Sequence, residues 1–113
     1  MAWVRAVGLN ELRAGIPKRV TIEGRAIALV TLDGTVYAID DECPHEEGGS
    51  LARGTVQDES VWCPLHGARF ALATGATLEP PEGEPMAPPV DRGVRTYAVT
   101  VIGADIYLEW PAC

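Results

Sequence analysis

At 113 residues the chain has room for one core and one domain. Its apolar content of 47% excludes wholesale disorder, and its net charge of −7 excludes a phosphate-backbone partner while suiting a basic protein surface. No apolar run approaches the roughly 20 residues that cross a bilayer, and the opening stretch "MAWVRAVGLNELRAG" lacks the apolar centre of a secretory leader. The chain is therefore expected to be soluble and cytoplasmic, with neither membrane nor nucleic acid among its partners.

Along the chain, short runs rich in Val, Ile and Thr alternate with turn signals. "AWVRAV" (2–7), "RVTIEG" (19–24) and "AIALVTL" (26–32) are candidate strands, with one short helical turn expected in "LNELRAG" (9–15). Asp33-Gly34 between "AIALVTL" and "TVYAID" (35–40) is a hairpin signal. Further strands are expected in "TVQDESVWC" (55–63), "ARFALA" (68–73), "VRTYAVTVI" (94–102) and "DIYLEW" (105–110), the last two joined through "GA" as a second hairpin. The fold class is all-β, an antiparallel sandwich or small barrel of about eight to ten strands. Segment 79–89, "EPPEGEPMAPP", carries five prolines and is expected to be neither strand nor helix; it is a connector or a stiff covering loop.

The chemistry concentrates in two places. "CPH" supplies Cys43 and His45, and after seventeen intervening residues "CPLHG" supplies Cys63 and His66. These are both histidines and two of the three cysteines of the chain. With no leader, the thiols are expected to be reduced, and Cys113 is a terminal thiol without a role. Two thiolates and two imidazoles form a first shell for zinc or for an iron–sulfur cluster. Structural zinc sites of this composition pair cysteine with cysteine and histidine with histidine. Here each loop mixes the two, so each can send its cysteine to one iron and its histidine to another. Pro44 and Pro64 stiffen the loops, and Gly48, Gly49 and Gly67 are expected to permit close backbone approach.

On these residues the chain resembles the Rieske [2Fe-2S] ferredoxin family, whose signature is Cys-x-His followed by Cys-x2-His. The segments "GTVYAIDDECPHEEGGSLARGTV", "VWCPLHGARFALATG" and "YAVTVIGADIYLEW" are similar to family segments, and the resemblance runs from Val20 to Trp110. It implies a single Rieske domain over 1–113: an antiparallel base with a small cluster-binding subdomain, ligand loops at about 40–70, and a covering loop at about 79–89. It also implies that Cys43 and Cys63 hold an inner iron, with His45 and His66 on the outer one.

Within the family, the respiratory type joins its two loops by a disulfide, at positions that here are Gly48 and Leu65. It also carries a serine and a tyrosine that donate to the cluster sulfurs, where this chain has Ala68 and Phe70. The resemblance therefore points to the soluble, low-potential branch. Those relatives carry electrons from a flavin- or NAD(P)H-dependent reductase to a terminal oxygenase of ring-hydroxylating type. The alternative is the small subunit of an assimilatory nitrite reductase, partnered with its large subunit; a structural zinc module is the remaining rival. The chain is not expected to be an enzyme by itself, since it shows no nucleophile–base pair and no phosphate loop. Asp40, Asp41, Glu42, Glu46 and Glu47 crowd the first loop, either as a solvated surface or as a docking face for a basic partner, with Arg53 and Arg69 as candidate local counter-ions.

Overall fold

The computed structural model describes residues 2–42, 50–64, 67–79 and 93–110. Within them, strands β1 (Ala2–Gly8), β2 (Lys18–Ile22), β3 (Arg25–Leu32), β4 (Thr35–Asp40), β5 (Thr55–Gln57), β6 (Ser60–Trp62), β7 (Arg69–Ala71), β8 (Thr77–Glu79), β9 (Thr96–Tyr97), β10 (Val99–Ile102) and β11 (Asp105–Trp110) form three antiparallel sheets. Their orders are β1-β11-β10, β2-β3-β4-β9 and β5-β6-β7-β8.

The middle sheet explains why "AIALVTL" is apolar almost throughout. Successive side chains of a strand point to opposite faces, and along β3 the alternation divides residues between two cores. Ile27 and Leu29 join Val7, Ile22, Ala38, Tyr97, Ile106 and Leu108 on the side of the β1-β11-β10 sheet. Ala28 and Val30 join Ile39, Leu51, Val61, Cys63, Phe70 and Leu72 on the side of the β5–β8 sheet. β3 is covered on both faces, so neither register position can be polar.

The all-β expectation holds, as do the Asp33-Gly34 hairpin and the β10–β11 hairpin. The helical turn appears as a 3-10 turn at Leu9–Glu11, shorter than the stretch proposed for it. Eleven strands are present among the described residues rather than eight to ten, because two expected strands are each divided and β8 is added. "TVQDESVWC" folds back on itself at Asp58 and Glu59, whose φ values of 50° and 59° reverse the chain. "VRTYAVTVI" breaks at Ala98: β9 pairs with β4 in the middle sheet, and β10 pairs with β11 in the first. β8 carries no strand signal in the sequence, and its last residue, Glu79, is the first of the proline segment. The rest of that segment, with the covering role proposed for it, lies outside the described residues. No helix among the described residues is long and apolar enough to cross a membrane.

Candidate functional site

Of the four sequence-derived ligands, Cys63 is described; Cys43, His45 and His66 lie outside the described residues. Among the described residues no group of three or more His, Cys, Asp or Glu side chains could hold a metal ion.

Cys63 follows β6 at the mouth of the β6–β7 hairpin. Its N–H donates to the carbonyl of Ala68 at 2.7 Å, and the N–H of Gly67 donates back to its own carbonyl at 3.2 Å. These two bonds close a tight turn, which Gly67 completes with φ +73°. No described atom lies within 4 Å of where a Cβ on Gly67 would stand. Among the described residues, what calls for glycine here is the left-handed backbone. Cys63 is 2% exposed and forms no disulfide. Burial alone would suit an inert core cysteine. Its place at the head of that turn, three residues before His66 in the sequence, gives a reduced thiol the setting expected of a ligand, and two cysteines with two histidines are a donor set that suits a Rieske-type cluster.

Both loops spring from one packed unit. Leu51, which follows the first loop, shares a core with Cys63 and Ala68, which flank the second, and with Val94. Gly54 makes this closeness possible: a Cβ there would stand 1.9 Å from the carbonyl oxygen of Trp62 and 3.2 Å from that of Leu51. Ala68 and Phe70, where the resemblance would look for hydroxyl donors, are both wholly buried.

The neighbouring charges sort differently from the sequence reading. Asp41 is 3% exposed and cannot belong to a docking face. Its carboxylate accepts from Ser50 Oγ at 2.8 and 3.0 Å and from the Ala52 N–H at 2.8 Å. Arg19 Nε stands 3.4 Å from the same carboxylate. Removing a carboxylate from water costs several kcal/mol; hydrogen bonds to a charged group return about 1.5–3 kcal/mol each. Asp41 is thus a satisfied internal anchor. Asp40 points elsewhere: Arg25 donates to the Tyr97 hydroxyl at 3.4 Å, and that hydroxyl donates to Asp40. Trp110 stacks on Tyr97 with centroids 5.6 Å apart. Burial raises the Tyr97 phenol above its ordinary value, and the Tyr97 bond does the same for the Arg25 guanidinium.

Arg69 was a candidate partner for the first-loop acids. It instead lies over the Trp62 ring at 5.1 Å and pairs with Glu79 at 2.9 Å. It ties the second-loop hairpin to β8, with a cation–π contribution of about 0.5–2 kcal/mol. Glu46 and Glu47 lie outside the described residues. Sequence reasoning missed both anchors. The only available signals were an acid two residues before "CPH" with a serine nine residues on, and an Arg seven residues after Trp62.

Residues 2–109 match the protein family described as the Rieske-like [2Fe-2S] domain. The ferredoxin component of the naphthalene 1,2-dioxygenase system of Pseudomonas aeruginosa is 32% identical over 107 residues, which cover 95% of this chain and 94% of that protein. Among solved structures, the ferredoxin of carbazole 1,9a-dioxygenase from Nocardioides aromaticivorans IC177 superposes with a TM-score of 0.79 at 33% identity, over 96% of this chain and 97% of that one. A Mycobacterium tuberculosis protein described as an NADH-dependent nitrite reductase small subunit superposes with a TM-score of 0.78 at 26% identity, over 95% and 93% of the two chains.

Proposed function

This chain belongs to the Rieske-like [2Fe-2S] family, and on that premise we propose that it is a ferredoxin, a one-electron carrier between a flavin- or NAD(P)H-dependent reductase and a terminal ring-hydroxylating oxygenase. The observation that carries this reading is the match along nearly the full length of dioxygenase ferredoxin components. The complete Cys-x-His and Cys-x2-His pattern in this sequence agrees with it. Cys43 and Cys63 serve as thiolate ligands and His45 and His66 as imidazole ligands of the [2Fe-2S] cluster. When bound, the cluster supplies one reversible electron. The protein around it buries Cys63, holds the necks of both loops together through Leu51 and Gly54, and offers no hydroxyl at Ala68 or Phe70. The whole chain acts as one domain, in the cytoplasm, without catalysis of its own.

The second reading, a nitrite reductase small subunit, draws on the M. tuberculosis likeness. Anaerobic titration and mixing separate the two. The reduced protein should give up one electron per chain to the oxidised oxygenase component of a naphthalene dioxygenase system. Discharge only to a nitrite reductase large subunit would favour the second reading and overturn the first. Cys43→Ser, Cys63→Ser, His45→Ala and His66→Ala should each lose the cluster or leave it unstable, whereas Cys113→Ser should keep it. Cluster loss in Cys113→Ser would overturn the ligand assignment.

A further inference from the structure

We propose that Asp41 is a positioning residue for the first ligand loop: its buried carboxylate ties together the two ends of the chain between which Cys43 and His45 lie. The inference rests on the reading of those two residues as cluster ligands.

The loop leaves the middle sheet at the end of β4 and returns at Ser50. At its root, Glu42 and Ser50 form an antiparallel bridge. The Leu51 N–H donates to the Asp41 carbonyl at 2.7 Å, and the Asp41 N–H donates to Ala26 on β3 at 3.1 Å. The Asp41 backbone is thereby fixed to the sheet on one side and to the returning chain on the other. The side chain adds a second fastening. Oδ1 takes the Ala52 N–H at 2.8 Å, and both oxygens lie within 3.0 Å of Ser50 Oγ. One residue, two positions before Cys43, thus grips the three residues that follow the loop.

Burial distinguishes this arrangement from an ordinary surface cap. Asp41 is 3% exposed, and Leu51, set between the two residues its carboxylate binds, is fully buried in the core that holds Cys63. A movement of Ser50–Leu51–Ala52 would therefore be transmitted to the second loop as well. Arg19 is the weaker partner: it lies at 3.4 Å and its side chain is 59% exposed. It sets little of the geometry.

The test compares cluster-loaded variants by their electron paramagnetic resonance spectra and by the rate at which a ferrous chelator removes iron. Asp41→Ala should lose iron about tenfold or more faster than wild type, in the range usual for groups that orient metal ligands, with a broadened or shifted signal. Asp41→Asn keeps an oxygen for Ala52 and a polar partner for Ser50, and should restore the wild-type spectrum. Ser50→Ala removes only the hydroxyl contacts, so it remains informative if Asp41→Ala fails to fold; its iron loss should rise about threefold. Arg19→Gln should change neither reading. Ile106→Val, a mild cavity in the other core, controls for general loosening. The inference is overturned if Asp41→Ala or Ser50→Ala leaves spectrum and iron loss unchanged, or if Ile106→Val at equal loss of stability releases iron as fast. A wild-type protein with no [2Fe-2S] signal would overturn the ligand reading along with it. A normal wild-type signal with an indifferent Asp41→Ala would overturn this inference alone.

Discussion

Replacing Gly54 by alanine sets two effects of opposite sign against each other. Gly54 has φ −83° and ψ −175°, a conformation open to any residue, so alanine would ordinarily stabilise by about 0.4–1 kcal/mol through the unfolded chain. The added methyl would, however, stand 1.9 Å from the Trp62 carbonyl oxygen and 3.1 Å from its carbon. Comfortable separation is about 3.5 Å, so the two backbones must part by roughly 1.5 Å. Neither can rotate aside as a side chain could. Parting them strains the Gly54 N–H bond to Leu51, 2.9 Å long, and the first rung of the β5–β6 ladder at Thr55 and Trp62. Two weakened hydrogen bonds at about 1 kcal/mol each, with disturbed packing of Leu51, outweigh the entropic gain. The expected result is a net loss of about 2–4 kcal/mol. The assay is guanidinium unfolding of the loaded protein, followed by circular dichroism and by bleaching of the visible band. Gly34→Ala serves as control: with φ +82° and no described atom within 4 Å of the added methyl, it should cost only about 1–2 kcal/mol of backbone strain and leave iron retention intact. A Gly54→Ala protein as stable as wild type, or more so, would refute the claim that close approach at Gly54 sets the spacing of the loop necks.

The missing hydroxyls predict a midpoint potential toward the low end of the Rieske span of about −150 to +300 mV. Ala68→Ser and Phe70→Tyr should each raise it by some tens of millivolts in voltammetry, since ~1 kcal/mol of added preference for the reduced state is about 40 mV for one electron; an unchanged or lowered midpoint in both would contradict this. Docking by the first-loop acids now falls to the exposed Glu42 with Glu46 and Glu47, because Asp41 is buried. Glu46→Gln with Glu47→Gln should slow electron transfer to a basic partner at low salt and converge with wild type at high salt; equal rates at both ionic strengths would remove the docking role. The raised Tyr97 phenol holds its proton more tightly in the folded than in the unfolded chain. Its contribution is complete below about pH 10 and declines as pH rises above that value. Unfolding midpoints at about pH 9 and 11 should show a steeper alkaline loss in wild type than in Tyr97→Phe, and equal slopes would rule the contribution out.

The parts of the fold legible in the sequence were those written in local chemistry. The Asp33-Gly34 turn, the Gly103-Ala104 turn and the apolar run of β3 each announce themselves over a few residues. The reversal at Asp58-Glu59 does not, because neither residue is the glycine that usually marks positive φ. The break at Ala98 is invisible for another reason. β9 and β10 have equal strand propensity, and only their partners, β4 and β11, distinguish them. The ligand pattern could be read because metal chemistry restricts it to a few residue types at set spacings. Asp41 could not, because an acid in the run Asp40-Asp41-Glu42 looks solvated until its partners at Ser50 and Ala52 are placed beside it.

The central claim is that two histidines and two cysteines of this chain hold a [2Fe-2S] cluster. Pulsed electron paramagnetic resonance of the reduced, purified protein tests it most directly, read beside its iron and sulfide content. The account predicts two irons and two labile sulfides per chain, a rhombic signal of low average g, and hyperfine coupling to the nitrogens of two imidazoles. One equivalent of zinc without visible absorbance, or a cluster signal with no coupled imidazole nitrogen, would contradict it.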